Sequence, residues 1–375
     1  MSYQKHQIGD LALSMFRFRN RETADKIIRL LKSMNLNIRL MHICGTHQDT
    51  LVRYGLDSLF RECGIMVRQG PGCPVCVTTI REYEEAITLA KKGITVTTFG
   101  DASRVPGQYG SLLDLRAEGY DIRIVYSIED AVKLAEKTGR RTVFLGVGFE
   151  TTAPSTAVIA LKGMPENFSI LNCHRYIPPA LEALLDLGEF KLHGLIEPGH
   201  VSTIIGVKPY EELSRRYRIP QVVAGFEPLD MLMAVYMLAC QIKMGESKVE
   251  NEYSRVVRYE GNVKALNALN DVFEPFDLDW RGFSIIHRSG MKFKDKYKEF
   301  DARKVYEDEL KDISQKVFKD PKGCRCGEVL RGFADSTDCP LFGTRCLPTH
   351  PIGPCMVSVE GSCNIEYKYR KVHQH

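Results

Sequence analysis

Thr142-Val143-Phe144-Leu145-Gly146-Val147-Gly148-Phe149-Glu150 runs from β-branched and apolar residues into glycine and then a carboxylate. Such a run reads as a buried strand ending at a polar loop. The same unit repeats from residue 37 to about 245, each time followed by an amphipathic stretch. Strand candidates occupy 38–43, 65–68, 95–99, 122–126, 142–147, 169–173, 194–197 and 221–225. Helical patterns lie between them, as at 82–91, where Tyr83, Ala86, Ile87 and Ala90 share one face, and at 129–137. The alternation predicts an α/β fold whose parallel sheets carry helices on both faces. Eight strands suit one barrel or two smaller sheets. Gly-Phe-Glu returns at Gly225-Phe226-Glu227, again at a strand-to-helix junction with a proline just beyond (Pro154 and Pro228). This three-residue echo suggests duplication and favours two sheets.

The expected organisation has four parts. Residues 1–36 form an N-terminal helical segment (Ile27, Ile28, Leu31 and Met34 on one face) that packs on the last domain. Residues 37–127 and 128–245 form two α/β domains. Residues 246–375 form a mostly helical and irregular C-terminal domain, with a β segment near 283–286 and a charged helix over 301–319.

Composition is that of an ordinary globular chain, with 44% apolar and 26% charged residues over 375 positions. A formal net charge of +4 and the lack of a basic, aromatic-studded stripe give nucleic-acid binding no support. The lysines of 291–298 read as a solvated face. Residues 1–19 lack the basic start and apolar run of a signal peptide, and the longest apolar run, 231–240, is about half a membrane span. A cytoplasmic location with reduced thiols and no membrane contact is expected.

Against that background the C-terminal tail stands out. Six of the 12 cysteines (Cys324, Cys326, Cys339, Cys346, Cys355 and Cys363) fall in the last 52 residues. Cys324, Cys339, Cys346 and Cys363 leave gaps of 14, 6 and 16 residues, filled with turn formers such as Gly327, Gly332, Pro340, Gly343, Pro348 and Gly353. A tail of this kind buries little apolar surface, and thiolate–metal bonds are the natural substitute. Disulfides or plain buried cysteines are the alternatives.

Ligands of open parallel sheets bind at the carboxyl ends of the strands. The reactive residue types cluster there: Cys44-Gly45-Thr46-His47, Gly70-Pro71-Gly72-Cys73-Pro74-Val75-Cys76, Asp101 with Arg104, Glu150-Thr151-Thr152, Cys173-His174-Arg175, Glu197-Pro198-Gly199-His200 and Gly225-Phe226-Glu227. A C-x-x-C that opens a helix holds its sulfurs within disulfide range and lowers a thiol pKa, so Cys73 and Cys76 read as a redox dithiol or as half of a zinc site. Cys44 with His47 reads as a thiolate beside a proton carrier, as two ligands of one metal, or as a buried structural pair. Asp101 and Glu150 are helix caps or free carboxylates. His174 and His200 are functional, or satisfy nearby carbonyls. Cys63 and Cys240 sit in apolar, helix-like settings and read as core. No P-loop, dinucleotide fingerprint or radical-enzyme cysteine triplet is present.

Together these motifs, with Phe99-Gly100-Asp101, Arg104-Val105-Pro106-Gly107, Gly148-Phe149-Glu150-Thr151-Thr152-Ala153-Pro154 and Cys355-Met356-Val357-Ser358, closely resemble the HypD family of [NiFe]-hydrogenase maturation factors. The resemblance covers nearly the whole chain. It implies a scaffold, rather than a conventional turnover enzyme, on which iron acquires two cyanides and one carbon monoxide. It further implies that Cys44 holds this iron with a cysteine of a HypC-type chaperone, and that a HypE-type protein donates cyanide. Cys73 and Cys76 would be a redox dithiol near a [4Fe–4S] cluster bound by Cys324, Cys339, Cys346 and Cys363, leaving Cys326 and Cys355 without a role. On this reading Cys44 and His47 position the iron, while Asp101 and Glu150 assist ligand delivery. Two departures stand out: Gln48 replaces the family's usual acidic residue, and Ala102-Ser103 a Met-rich stretch.

Two other readings fit part of the pattern. A cluster-dependent thiol–disulfide reductase explains the dithiol and the tail, but leaves the Cys44 loop idle. A non-catalytic interaction protein with a structural zinc tail explains only the tail.

Overall fold

The computed structural model describes residues 20–188 and 191–370. The leader reading of residues 1–19 lies outside them. Eleven strands occur among the described residues: β1 (Ile38–His42), β2 (Ile65–Gln69), β3 (Thr95–Thr98), β4 (Ile122–Ile124), β5 (Thr142–Gly148), β6 (Phe168–His174), β7 (Gly194–Pro198), β8 (Gln221–Ala224), β9 (Val249–Asn251), β10 (Phe273–Asp279) and β11 (Ile285–Phe293). All eight strand candidates are present, and they form two parallel sheets. One has the order β2-β1-β7-β8-β9, the other β4-β3-β5-β6, and β10 and β11 make an antiparallel ribbon.

Burial follows position in the sheets. β5, β7 and β8 are buried along their whole length, as strands covered on both faces must be, while the edge strands β2, β4 and β9 are partly open. β6 ends its sheet yet is fully buried. Its outer edge is closed by bridges from Ile170 to Asp301 and from Arg175 to Gly290, and by the Asn172 amide donating to Met291 O at 2.6 Å. Covering an edge in this way removes a template for unwanted strand pairing.

The sheets are interleaved along the chain. β3 and β4 pair with β5 and not with β1 and β2, so a boundary at residue 127 would cut one sheet in two. β9 likewise extends the first sheet beyond residue 245 through its pairing with β8. The parts 37–127 and 128–245 therefore do not correspond to the sheets. The sheets do share one topology, since β2-β1-β7-β8 repeats the plan of β4-β3-β5-β6. Gly-Phe-Glu is not the mark of it, because it follows the third strand of one set and the fourth of the other.

Two further expectations are corrected. Helix Arg21–Ser33, capped by Asn20, lies against helices Pro228–Met244 and Leu56–Glu62 on the first sheet and not on the last region. Its stripe of Ile27 and Leu31 joins a core with Leu40, Ile196 and Val222. The region after residue 245 carries three strands, where a single β segment near 283–286, overlapped by β11, was expected. Its tail helix Ser362–Arg370 lies on helix Gly45–Arg53, and Cys326, Cys355 and Cys363 share a core with Met41, Val96, Leu145 and Leu195 from both sheets. No helix among the described residues is long and apolar enough to cross a membrane.

Candidate functional site

Cys44 ends the turn after β1 and is the N-cap of helix Gly45–Arg53. Two loops press on it. A Cβ on Gly72 would stand 2.3 Å from Cys44 N, so only glycine lets the Gly70-Pro71-Gly72 turn lie so close. On the other side a Cβ on Gly45 would meet Glu360 Cβ at 2.4 Å, which brings in the tail turn. The Cys44 thiol is fully buried, and burial pushes its pKa up to about 12, with Glu360 adding to the rise. The N–H groups of His47 and Thr46 at the helix start, and the Thr46 hydroxyl, pull the other way. Without a cation this sulfur stays a thiol; a bound metal would displace its proton.

The His200 imidazole meets this thiol, with its Nδ1 3.7 Å from Cys44 Sγ. His47 turns elsewhere: its Nε2–H donates to Gly225 O at 3.0 Å and to Ala224 O at 3.3 Å. Burial and the neighbouring His42 and His200 hold His47 well below the usual histidine range, and therefore neutral. Phe226 stands against both rings, 5.2 Å from His47 and 5.3 Å from His200. The second Gly-Phe-Glu thus furnishes the wall of the site.

Carboxylates surround this pair. Glu150 accepts from Ile177 N–H at 2.9 Å, while its other oxygen is buried without a partner. Burial raises Glu150 to about 7, against the pull of N–H groups and of His200. Asp101 accepts from Val359 N–H at 3.0 Å and so ties the second sheet to the tail turn. Glu360 is raised by burial, with His200 opposing and Asp101 reinforcing. Glu360 was absent from the expected set; the motif Cys355-Met356-Val357-Ser358 stops two residues short of it. Gln48 faces away from Cys44. Its Oε1 accepts from His42 Nε2–H at 2.9 Å and its Nε2 donates to Glu366 Oε1 at 3.1 Å. A carboxylate at position 48 would confront Glu366 with like charge, which gives that departure a structural reason.

Cys73 and Cys76 form a disulfide with Cα atoms 5.3 Å apart, and neither is exposed. Their helix, Pro74–Val77, is held at its far end by Arg281 N–H donating to Val77 O at 2.9 Å and by the Tyr83 hydroxyl donating to Val75 O at 3.1 Å. His174 is a structural residue beside Gly146 and Gly148, bonded to Asn172.

All six tail cysteines line one cavity, with Val329, Leu341, Phe342 and Met356 as its apolar wall. The four sulfurs of the expected ligand set are there, and so are Cys326 and Cys355, whose sulfurs lie 2.7 Å apart. Cys326 is the more acidic of the two, held down by the Cys324 and Cys355 thiols facing it, while Cys355 is raised. Helices Cys326–Leu330 and Pro354–Val357 both lie against Pro74–Val77. Cavity, disulfide and Cys44 are therefore neighbours in one continuous body. Among the described residues no three His, Cys, Asp or Glu side chains converge as a single metal ion requires.

The hydrogenase formation hypA family (HypD) matches residues 19–370 of the chain. The chain belongs to that family. It is 50% identical over 357 residues to a hydrogenase expression/formation protein of Methanocaldococcus jannaschii, covering 94% of this chain and 97% of the relative. HypD of Escherichia coli is 42% identical over 340 residues, covering 89% and 90% of the two chains. HypD of Cupriavidus necator is 40% identical over 369 residues, covering 94% and 96%. Both of these are named hydrogenase maturation factors.

Proposed function

We propose that this chain is a cytoplasmic hydrogenase maturation factor: a scaffold on which an iron atom, its cargo, acquires two cyanides and one carbon monoxide. The observation that carries the reading is the placement of Cys44 between the Gly70-Pro71-Gly72 turn, which leads into the Cys73–Cys76 disulfide, and the cysteine-lined tail. A soft thiolate suits low-valent iron with strong-field ligands. Cys44 would hold that iron together with a cysteine of a HypC-type chaperone, and a HypE-type protein would deliver cyanide. Asp101 and Glu150 would assist ligand delivery, and a Glu150 raised by burial to about 7 is suited to passing a proton.

The tail cavity suits a [4Fe–4S] cluster on Cys324, Cys339, Cys346 and Cys363, because its donors are soft and its other walls are apolar. Such a cluster would supply single electrons. Cys73 and Cys76 take up two electrons and two protons when their disulfide opens to two thiols. Cys326 and Cys355 stand between these two sites. The alternative reading, a thiol–disulfide reductase acting on another protein, draws on the same disulfide. It is disfavoured because it leaves Cys44, His200 and the carboxylates beside them without a role.

The test has two parts. Anaerobically purified chain should contain about four iron and four sulfide beyond any cargo iron, as a [4Fe–4S] site requires; zinc without sulfide would make the tail a structural staple. In the complex with chaperone and cyanide donor, Cys44→Ala should abolish the infrared cyanide bands and leave the visible spectrum of the tail intact. Undiminished bands in that variant would sink the scaffold assignment.

A further inference from the structure

We propose that His200, through Nδ1, is the second ligand this chain offers to the metal held by Cys44. The inference rests on the scaffold reading and goes beyond it, since the Cys-Gly-Thr-His motif points to His47 instead.

Geometry separates the two histidines. A sulfur about 2.3 Å and an imidazole nitrogen about 2.0–2.1 Å from one metal ion stand about 3.1 Å from each other at the right angle of an octahedral site and about 3.5 Å at a tetrahedral one. Cys44 Sγ and His200 Nδ1 stand 3.7 Å apart. An ion could enter between them with little side-chain movement. His47 donates its Nε2–H to two carbonyls, Ala224 and Gly225, and its Nδ1, buried without a partner, makes no contact with Cys44 like that of His200. Those bonds make His47 a support for the loop after β8, whereas His200 has the thiol as its Nδ1 partner.

The surroundings fix His200 in this pose. Gly199, just before it, is pressed against Ala224 O, which a Cβ there would approach to 2.5 Å. The ring stacks on Phe226 at 29° between planes. The Thr203 hydroxyl donates to His200 O at 2.6 Å and anchors the backbone. Ligand rotamers locked in this way are what metal sites require. Glu360 lies close enough to influence both Cys44 and His200 electrostatically, offering a negative neighbour for a cation placed between them.

Coordination chemistry closes the argument. Cys44 and His200 with one chaperone thiolate, two cyanides and one carbon monoxide fill the six positions of octahedral ferrous iron. Two protein ligands from this chain leave the remaining positions to the partner and the diatomic groups. A third side chain from this chain would obstruct them.

The experiment uses the full chain, purified anaerobically with its natural-abundance tail iron, and ferrous ion enriched in the Mössbauer isotope as the probe. The wild-type chain is expected to bind one added ion in a ferrous site of mixed sulfur and nitrogen ligation. His200→Gln should weaken that binding at least about tenfold, the lower end of what losing even a supporting partner costs. His200→Gly should bind weakly and recover with added imidazole, which shows that the fold survives. Unchanged affinity and spectrum in His200→Gln overturn the inference, as does loss confined to His47→Gln. A wild-type chain with no such site overturns it too. If cyanide bands form in the chaperone complex and keep their frequencies in His200→Gln, this inference fails while the scaffold reading stands. If the ion binds through Cys44 and His200 but cyanide bands never form, the scaffold reading fails and the metal site stands.

Discussion

Cys326 Sγ and Cys355 Sγ lie 2.7 Å apart, on two helices that both rest against the turn of the Cys73–Cys76 disulfide. Two thiols in contact can close to a disulfide by giving up two electrons and two protons, the amount that reopening Cys73–Cys76 consumes.

Cys326→Ser should therefore leave the tail's metal content and visible spectrum in place while slowing the re-reduction of Cys73–Cys76. Alkylation of free thiols after a pulse of reductant, read by mass, checks this. A slowing of about tenfold or more is expected, and equal rates in variant and wild type would remove the pair from the electron route.

Arg175 and Glu82 form an ion pair at 2.5 Å with neither side chain open to water. Burial pushes the Glu82 carboxyl up, but the charges and hydrogen bonds of Arg175 and Arg303 outweigh it and leave the net value low. Arg175→Met should cost about 3–5 kcal/mol, because it strands a buried carboxylate. The double variant with Glu82→Gln should recover much of that in urea unfolding. Since the folded pKa of Glu82 is depressed, its contribution is fully present at neutral pH and is lost as pH falls through that low value.

Glu197 shows the opposite sign. It ends β7 fully buried with one oxygen unpartnered, and burial raises its pKa from 4.5 to about 8. Relative to a neutral isostere, its contribution is unpenalised below 4.5 and declines as pH rises to about 8. Glu197→Gln should thus change stability little near pH 4 and raise it by roughly 2–4 kcal/mol near pH 8. Thermal melts of the two proteins across that range provide the comparison; parallel curves would show that Glu197 finds a cationic partner.

Gly72→Ala forces a methyl group against the backbone of Ile43 and Cys44. A loss of about 1–3 kcal/mol is expected, as for other overpacked sites. The strain falls on the Cys44 turn, so alkylation of Cys44 should also accelerate. A melting temperature and a labelling rate both equal to wild type would mean that the two loops are not held together as described.

The strands were legible because parallel strands covered on both faces read as short apolar runs, and 142–147 and 194–197 need no partner to be recognised. Which strands share a sheet was not, because hydrogen-bond partners such as Leu40 and Gly194 leave no local trace. β9 and β10 went unseen for a related reason: Val249–Asn251 is three residues long, and Phe273–Asp279 alternates with acidic side chains on its open face. At the site, Cys44, Cys73, Cys76, Asp101 and Glu150 were legible from their reactive types beside glycine turns. The turning away of His47, the approach of His200 and the arrival of Glu360 were not. They depend on contacts across more than a hundred residues of chain, which only the folded molecule brings together.

The interleaving of the two sheets also sets an order of events as the chain leaves the ribosome. β1 and β2 emerge first, yet β1 cannot find β7 until the whole of β3 to β6 has been made. The second sheet, contiguous from Thr95 to His174, can close while the first is still half built, consistent with the early folding of units of low sequence separation. The tail follows both. Its thiols are delivered to a body already shaped to receive them, so the cysteine-lined cavity is the last part of the molecule to be completed.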